Sequence, residues 1–407
     1  MPKKLIKMST LIKSCRIHIN DKVLSKNILV KKGKISKITN KEPKADKIID
    51  AKNNFVLPGI IDCHVHFREP GLTHKEDFLT GSMAAAKGGI TTFLDMPNTI
   101  PPTTKLAALE EKRKLASKSV VNFGLHFGAT LDNISDIRMA KNIPAVKLYM
   151  DETTGGLKVE DIDALKEIFK ASRLTVIHAE DLNVKNAVEI ISKNNISNRI
   201  HVAHVSSKME LISAKSNKIR DQVTVEATPH HLFMNENDIQ VLGAFAEMKP
   251  RLKAEQDQEA LWQGLKSGMI DVIATDHAPH TKEEKEKANY PFGVPGVETM
   301  LPLLLDAFNR NLITLPKIKQ LCCENPAKIF KIKNKGFLKQ GYDADLVIVD
   351  LDKRQAVRNE DLLTKCKWSP FEGRILKGWP VTTIVNGNVV YDNGEVFDVK
   401  GKEVMFS

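Results

Sequence analysis

The sequence predicts an α/β protein, a (β/α)8 TIM-type barrel carrying a small β-sandwich domain built from both chain ends. Three observations predict it. Eight short apolar runs of β character alternate with helix-forming segments between residues 58 and 335. Reactive side chains sit at the carboxyl ends of those runs, where a closed barrel gathers its chemistry. Residues 1–57 and 336–407 share a different texture, with short β-like runs that in the first segment are separated by Lys-Gly and Asn-Lys turns. These are the expected boundaries: 1–57 and 336–407 for the two parts of the β domain, 58–335 for the barrel.

In the first segment the β-like runs are Leu11-Ile12, Ile28-Leu-Val30, Lys34-Ile-Ser-Lys-Ile38 and Lys47-Ile-Ile49. The barrel strands follow at 60–66, 91–97, 121–128, 145–150, 174–180, 200–206, 223–230 and 272–277. Helices are expected between most of them, at 76–87, 103–116, 161–171, 182–193 and 256–268. The last segment returns to strands at Asp345-Leu-Val-Ile-Val349, Val381-Thr-Thr-Ile-Val-Asn-Gly387 and Asn388-Val-Val-Tyr391. A doubly wound open sheet would not bring the first and eighth strands together, whereas a closed barrel does.

Composition narrows the class. Hydrophobic residues make up 42% and charged residues 27%, the balance of a globular chain. No apolar run approaches the roughly 20 residues of a membrane span. The basic opening, residues 1–8, has neither an apolar core nor a cleavage site, so no signal peptide is expected and the chain is assigned to the cytoplasm. Five cysteines without C-x-x-C spacing argue against a disulfide framework or a zinc ribbon. The net charge of +11 is carried by scattered lysines, with no arginine-rich arm or aromatic stacking series. Nucleic acid is therefore not an expected partner. No Gly-x-Gly-x-x-Gly or Walker pattern points to a nucleotide cofactor.

The chemistry concentrates in Asp62-Cys-His-Val-His-Phe-Arg-Glu-Pro-Gly71. His64 and His66 are two apart, so on a strand they share a face and can grip one metal ion, while Cys63 should face away from them. A core histidine pair is the bland alternative, and it would bury unpaired imidazoles beside Asp62. Asp276, at the end of strand eight, can complete the first site because strands one and eight are neighbours after closure. His178 and His204, on strands five and six, can hold a second ion. Zinc is expected for these ligands, although manganese or cobalt suits the same atoms. A bridging anion is still needed. Lys147 lies in an apolar strand where burial disfavours its ammonium, so its amine can take up carbon dioxide and become a carbamate. That modification offsets the charge of two cations better than an ammonium would. Asp151 is the other candidate bridge.

These blocks resemble the dihydroorotase family of the amidohydrolase superfamily, in the branch with a carboxylated lysine. The likeness continues through Asp95-Met-Pro-Asn-Thr99, Val146-Lys-Leu-Tyr-Met150, Ile177-His-Ala-Glu180, His201-Val-Ala-His204, Val225-Glu-Ala-Thr-Pro-His-His231, Ala274-Thr-Asp-His-Ala-Pro-His280 and Trp368-Ser-Pro-Phe-Glu-Gly373. The resemblance implies two zinc ions bridged by N6-carboxylated Lys147 and a hydroxide. His64, His66, Lys147 and Asp276 surround one ion, and Lys147, His178 and His204 surround the other. It also implies that Asp276 is the catalytic acid–base group and that Arg68, Asn98 and His280 hold a substrate carboxylate. Loop 151–157 closes over the substrate, with Thr153 as a contact. Glu226 matches a position that binds an additional metal in some relatives.

The implied reaction is reversible opening of dihydroorotate to N-carbamoyl-L-aspartate. A homodimer and association with aspartate transcarbamoylase are the expected assemblies. Two rivals remain: a hydrolase of another cyclic ureide, such as allantoin or a hydantoin, and a catalytically silent partner of the transcarbamoylase.

Overall fold

The computed structural model describes residues 9–19, 22–215 and 218–407; the basic segment 1–8, read above for a leader, lies outside them. Eight parallel strands form the centre: β1 (Ile60–Val65), β2 (Ile90–Asp95), β3 (Asn122–Leu125, resuming at Phe127–Gly128), β4 (Val146–Tyr149), β5 (Leu174–His178), β6 (Arg199–Val202), β7 (Val223–Ala227) and β8 (Val272–Ile273). β1 pairs with β2 and β2 with β3, and the second piece of β3 begins a parallel series that runs through to β8. Beyond β8, His277 makes a parallel bridge with Val65, and the His66 N–H donates to the His277 carbonyl at 2.8 Å. This order of parallel strands fits a (β/α)8 barrel.

Two of the helices form where the sequence supplies a side-chain cap beside buried apolar residues. Ile162–Ala171 buries Leu165, Ile168 and Phe169, spaced three and one apart on one face, and the Asp161 carboxylate caps its start at Ala164 N, 2.8 Å away. Phe78–Lys87 begins with a capping box between Asp77 and Thr80. Burying a leucine, isoleucine or phenylalanine side chain stabilises by about 1.5–3 kcal/mol, so this stripe outweighs the cap that sets its register.

Strands run shorter than the sequence suggests. The seventh was expected to reach residue 230. It stops at Ala227 because Thr228 caps a short helix, Pro229–Phe233, that begins with proline. The eighth is only Val272–Ile273, since Asp276 takes a left-handed backbone with φ of 46°.

One buried cluster on the central strands joins Ile61, Cys63, Leu94, Met96, Val176, Ala203, Val272 and Ala274. Phe330, Ile332 and Val404 pack against the same cluster. The last residues run along the amino ends of the strands, with Val404 N donating to Phe123 O at 2.8 Å and Lys333 N to Met405 O at 2.9 Å.

Both chain ends join one nine-stranded sheet. Phe55–Pro58 lies between Ser9–Ile19, which it pairs in parallel, and Leu346–Ala356, which it pairs antiparallel. Ile12, Ile17, Ile28 and Val56 share a core with Leu346, Ile348, Val381 and Ile384. All five cysteines are free and buried. Among the described residues no helix is long and apolar enough to cross a membrane.

Candidate active site

β1 brings the first pair of imidazoles to the centre. His64 Nε2 and His66 Nε2 stand 3.2 and 3.1 Å from the same Asp276 oxygen. Cys63 was expected to face away from them. Instead its Sγ lies 3.5 Å from Glu226 Oε2, while His64 Nδ1 lies 2.8 Å from Glu226 Oε1. The register shift between Asp62 and Val65 breaks the two-residue alternation, so consecutive side chains reach one carboxylate. Burial pushes the Cys63 thiol well above its usual range, and it remains a packed thiol.

β5 and β6 contribute the second pair, with His178 Nδ1 2.9 Å from His204 Nε2. The outer nitrogens of three of the four rings rest on oxygen acceptors. His64 meets Glu226, His66 meets Asn98 Oδ1 at 2.7 Å, and His178 meets Glu180 Oε1 at 3.2 Å. An acceptor on the outer nitrogen places the ring proton there and leaves the inner lone pair free, as in metal-binding histidines. Burial lowers the pKa of His66 to about 3 and moves those of His178 and His204 down as well, so the rings are neutral. Burial raises the Asp276 carboxyl and positive charge at His64 and His66 lowers it, a part that a bound cation would take beside neutral rings.

Lys147, on β4, is fully buried, and its Nζ has no hydrogen-bond partner. Burial brings its amine down to about 8, against the opposing pull of Glu226 and Asp276. Asp151, the other candidate bridge, is spoken for: its oxygens accept from Glu180 N and Asn183 Nδ2, each at 2.8 Å. One ligand atom each from His64, His204 and Asp276 lie within 4.8 Å of one another, and a second such group joins Cys63, His201 and Glu226. Neutral imidazoles, an ionised carboxylate and an unpartnered buried amine are a donor set that suits divalent ions.

His64, His66, Arg68, Asn98, Lys147, Thr153, His178, His204 and Asp276 all line one cleft. His280 does not; it is completely buried behind Arg68, with Nε2 3.1 Å from Arg68 Nη2. Arg68 is also buried. Its Nε donates to Pro279 O at 3.1 Å, and among the described residues no carboxylate lies within ion-pair distance of it. Arg68, His204 and Asp276 all have positive φ, at 64°, 37° and 46°. Such backbones cost about 1–3 kcal/mol each and persist where surroundings over-determine them. Loop 151–157 sits over the cleft, with Asn98 Nδ2 donating to Thr154 O at 2.9 Å, and leaves a free volume of only about 30 Å³.

Sequence reasoning gave Glu180 no role and saw Glu226 only as an extra metal ligand. Glu226 also accepts from His204 N at 3.1 Å and His201 Nε2 at 3.3 Å. The only signal available for Glu180 was its position two residues past His178.

The strand order and this cleft match a known class. The chain belongs to the amidohydrolase family, whose model matches residues 55–390. Its curated relatives include the dihydroorotase of Methanosarcina acetivorans, 39% identical over 93% of this chain and 91% of that one. The multifunctional protein CAD of Squalus acanthias is 38% identical over 84% of this chain, a match that spans 15% of CAD. Among solved structures, the L-hydantoinase (dihydropyrimidinase) of Arthrobacter aurescens aligns with a TM-score of 0.93 at 30% identity, over 98% of this chain and 100% of that one.

Proposed function

We propose that this protein is a dihydroorotase, opening the ring of L-dihydroorotate to N-carbamoyl-L-aspartate and closing it again, a step of pyrimidine synthesis. The observation that carries the reading is the buried Arg68 guanidinium, left without a carboxylate partner in the same cleft as four imidazoles, Asp276 and Lys147. A buried cation without a counter-charge is costly, and a substrate carboxylate taken bidentately relieves it. The curated relatives' activity supports the same reading.

His64, His66, Lys147 and Asp276 would hold one zinc ion and Lys147, His178 and His204 the other, with Lys147 as its carbamate. Bound divalent ions supply polarisation of the amide carbonyl and bring water's pKa from 15.7 to about 7. Asp276 takes the proton from the attacking water and delivers it to the departing ring nitrogen. Asn98 and Thr153 orient the ring beneath loop 151–157, which covers the cleft. The architecture this reading uses is the closed (β/α)8 barrel, residues 58–335, with a β-sandwich formed by residues 1–57 and 336–407. Association with aspartate transcarbamoylase, to which the likeness to CAD points, and homodimer formation belong to the same proposal and are tested by co-purification and sizing.

Likeness to the Arthrobacter hydantoinase favours a second reading, hydrolysis of a hydantoin. That ring brings no carboxylate to Arg68, which weighs against it. The test is ring opening of dihydroorotate by the zinc-loaded protein, followed by absorbance, beside Arg68→Met. Two lost charge-assisted bonds at about 1.5–3 kcal/mol each predict a fall in kcat/KM of roughly a hundred- to ten-thousand-fold. Unchanged turnover by the variant, or faster turnover of hydantoin by the wild type, rejects the assignment.

A further inference from the structure

Behind Arg68 lies a group of buried side chains to which the reaction above gives no role. Lys75, nearly buried in the segment after β1, places Nζ 3.1 Å from His280 Nδ1 and 3.1 Å from Glu284 Oε1. An ammonium only donates, so His280 Nδ1 must be the acceptor, and the ring's single proton is on Nε2. That Nε2 lies 3.0 Å from the Phe292 carbonyl, which only accepts. Both contacts demand the same tautomer. Burial, together with the charges of Arg68, Lys75 and Lys285, holds His280 far below its ordinary pKa, in keeping with a neutral ring.

With its proton on Nε2, His280 cannot accept from Arg68 Nη2, 3.1 Å away. The ring therefore offers Nη2 no lone pair, and that nitrogen still lacks an acceptor that a carboxylate in the cleft can supply. The Phe292 carbonyl is itself held in place. Lys285, also buried, donates to Glu247 O, Pro291 O and Gly293 O at 3.0, 2.9 and 3.2 Å, and Phe292 and Gly293 line the cleft.

We propose that Lys75 is a positioning residue for carboxylate recognition, fixing the His280 tautomer so that the Arg68 fork stays free for the substrate. Without the ammonium, Nδ1 loses its donor, the proton can move there, and Nε2 becomes an acceptor that competes for Arg68. Lys75 therefore sets preference for a ring that carries a carboxylate over one that does not. This rests on the dihydroorotase reading.

The experiment compares the zinc-loaded wild type, Lys75→Met and Lys75→Arg, each checked for folding by thermal melt. Lys75→Met should raise KM for dihydroorotate about tenfold, the size of one charged hydrogen bond, with most of the loss in KM rather than kcat. Lys75→Arg keeps a donor and should restore KM to within about threefold. Calorimetric titration separates this from loosened packing: the methionine variant should weaken orotate and leave uracil, the same ring without the carboxylate, unchanged. If Lys75→Met does not fold, Glu284→Gln, which weakens the hold on Lys75, should raise KM by a smaller factor. A wild type that opens dihydroorotate while folded Lys75→Met, or failing that Glu284→Gln, keeps its KM overturns the inference alone. A wild type that does not open dihydroorotate overturns the reaction beneath it.

Discussion

At the scale of single residues, the buried amine of Lys147 is the most exposed to test. An ammonium in that position would stand unpartnered beside neutral imidazoles, whereas a carbamate would give the two halves of the cleft a shared anion. Lys147→Ala should therefore reduce bound metal from about two ions per chain to one or none, read by elemental analysis after gel filtration. Full metal content in that variant would place the bridge elsewhere. The histidines, Lys147 and Asp276 were legible because their residue types are costly to bury without a purpose and each stands at the end of an apolar run. The partners of their outer nitrogens were not. Asn98 and Glu226 reach His66 and His64 across strands, and such a contact exists only once register and twist are set.

At the scale of elements, β1 and β8 are joined by one carboxyl group. Asp62 accepts from Thr275 N at 3.0 Å, Thr275 Oγ1 at 2.6 Å and His64 N at 3.3 Å. Asp62→Ala leaves these donors buried and unsatisfied, which should cost about 2–4 kcal/mol in urea unfolding. A change under 1 kcal/mol would mean the two strands are held mainly by other contacts. Periodicity located every central strand and the five helices it named, because apolar stripes are local. It failed where a local rule was overridden. The bulge in β1 turned Cys63 toward Glu226, and the Thr228 cap turned the expected end of β7 into a helix.

At the scale of the molecule, a buried ion network couples the parallel strands to the terminal sheet. Lys335 Nζ lies 2.6 Å from Asp345 and 3.1 Å from Asp343, and Asp345 also accepts from Asn122 Nδ2 on β3 and from Asn386 N. Burial alone would lower Lys335, but the two aspartates outweigh it and hold its pKa above 10.5. A raised folded value means that the stabilisation is complete below 10.5 and fades as pH climbs through the folded value. Lys335→Met should cost about 3 kcal/mol at neutral pH by stranding Asp345. Its deficit against the wild type should shrink at pH above 10.5, and a deficit constant from pH 8 to 11 would show that packing, not charge, is lost. The matching texture of the two chain ends was readable in the sequence. That they share one hydrogen-bonded sheet was not, since the pairing of Phe55–Pro58 with Leu346–Ala356 joins positions nearly 300 residues apart.

The sequestration of every sulfhydryl has a practical consequence. With Cys15, Cys63, Cys322, Cys323 and Cys366 all shielded, maleimide dyes should leave the native protein unlabelled. A single cysteine introduced at the exposed Glu152, in the loop over the cleft, would then be the sole reactive handle. A fluorophore there could report the opening and shutting of the segment above the cleft in real time.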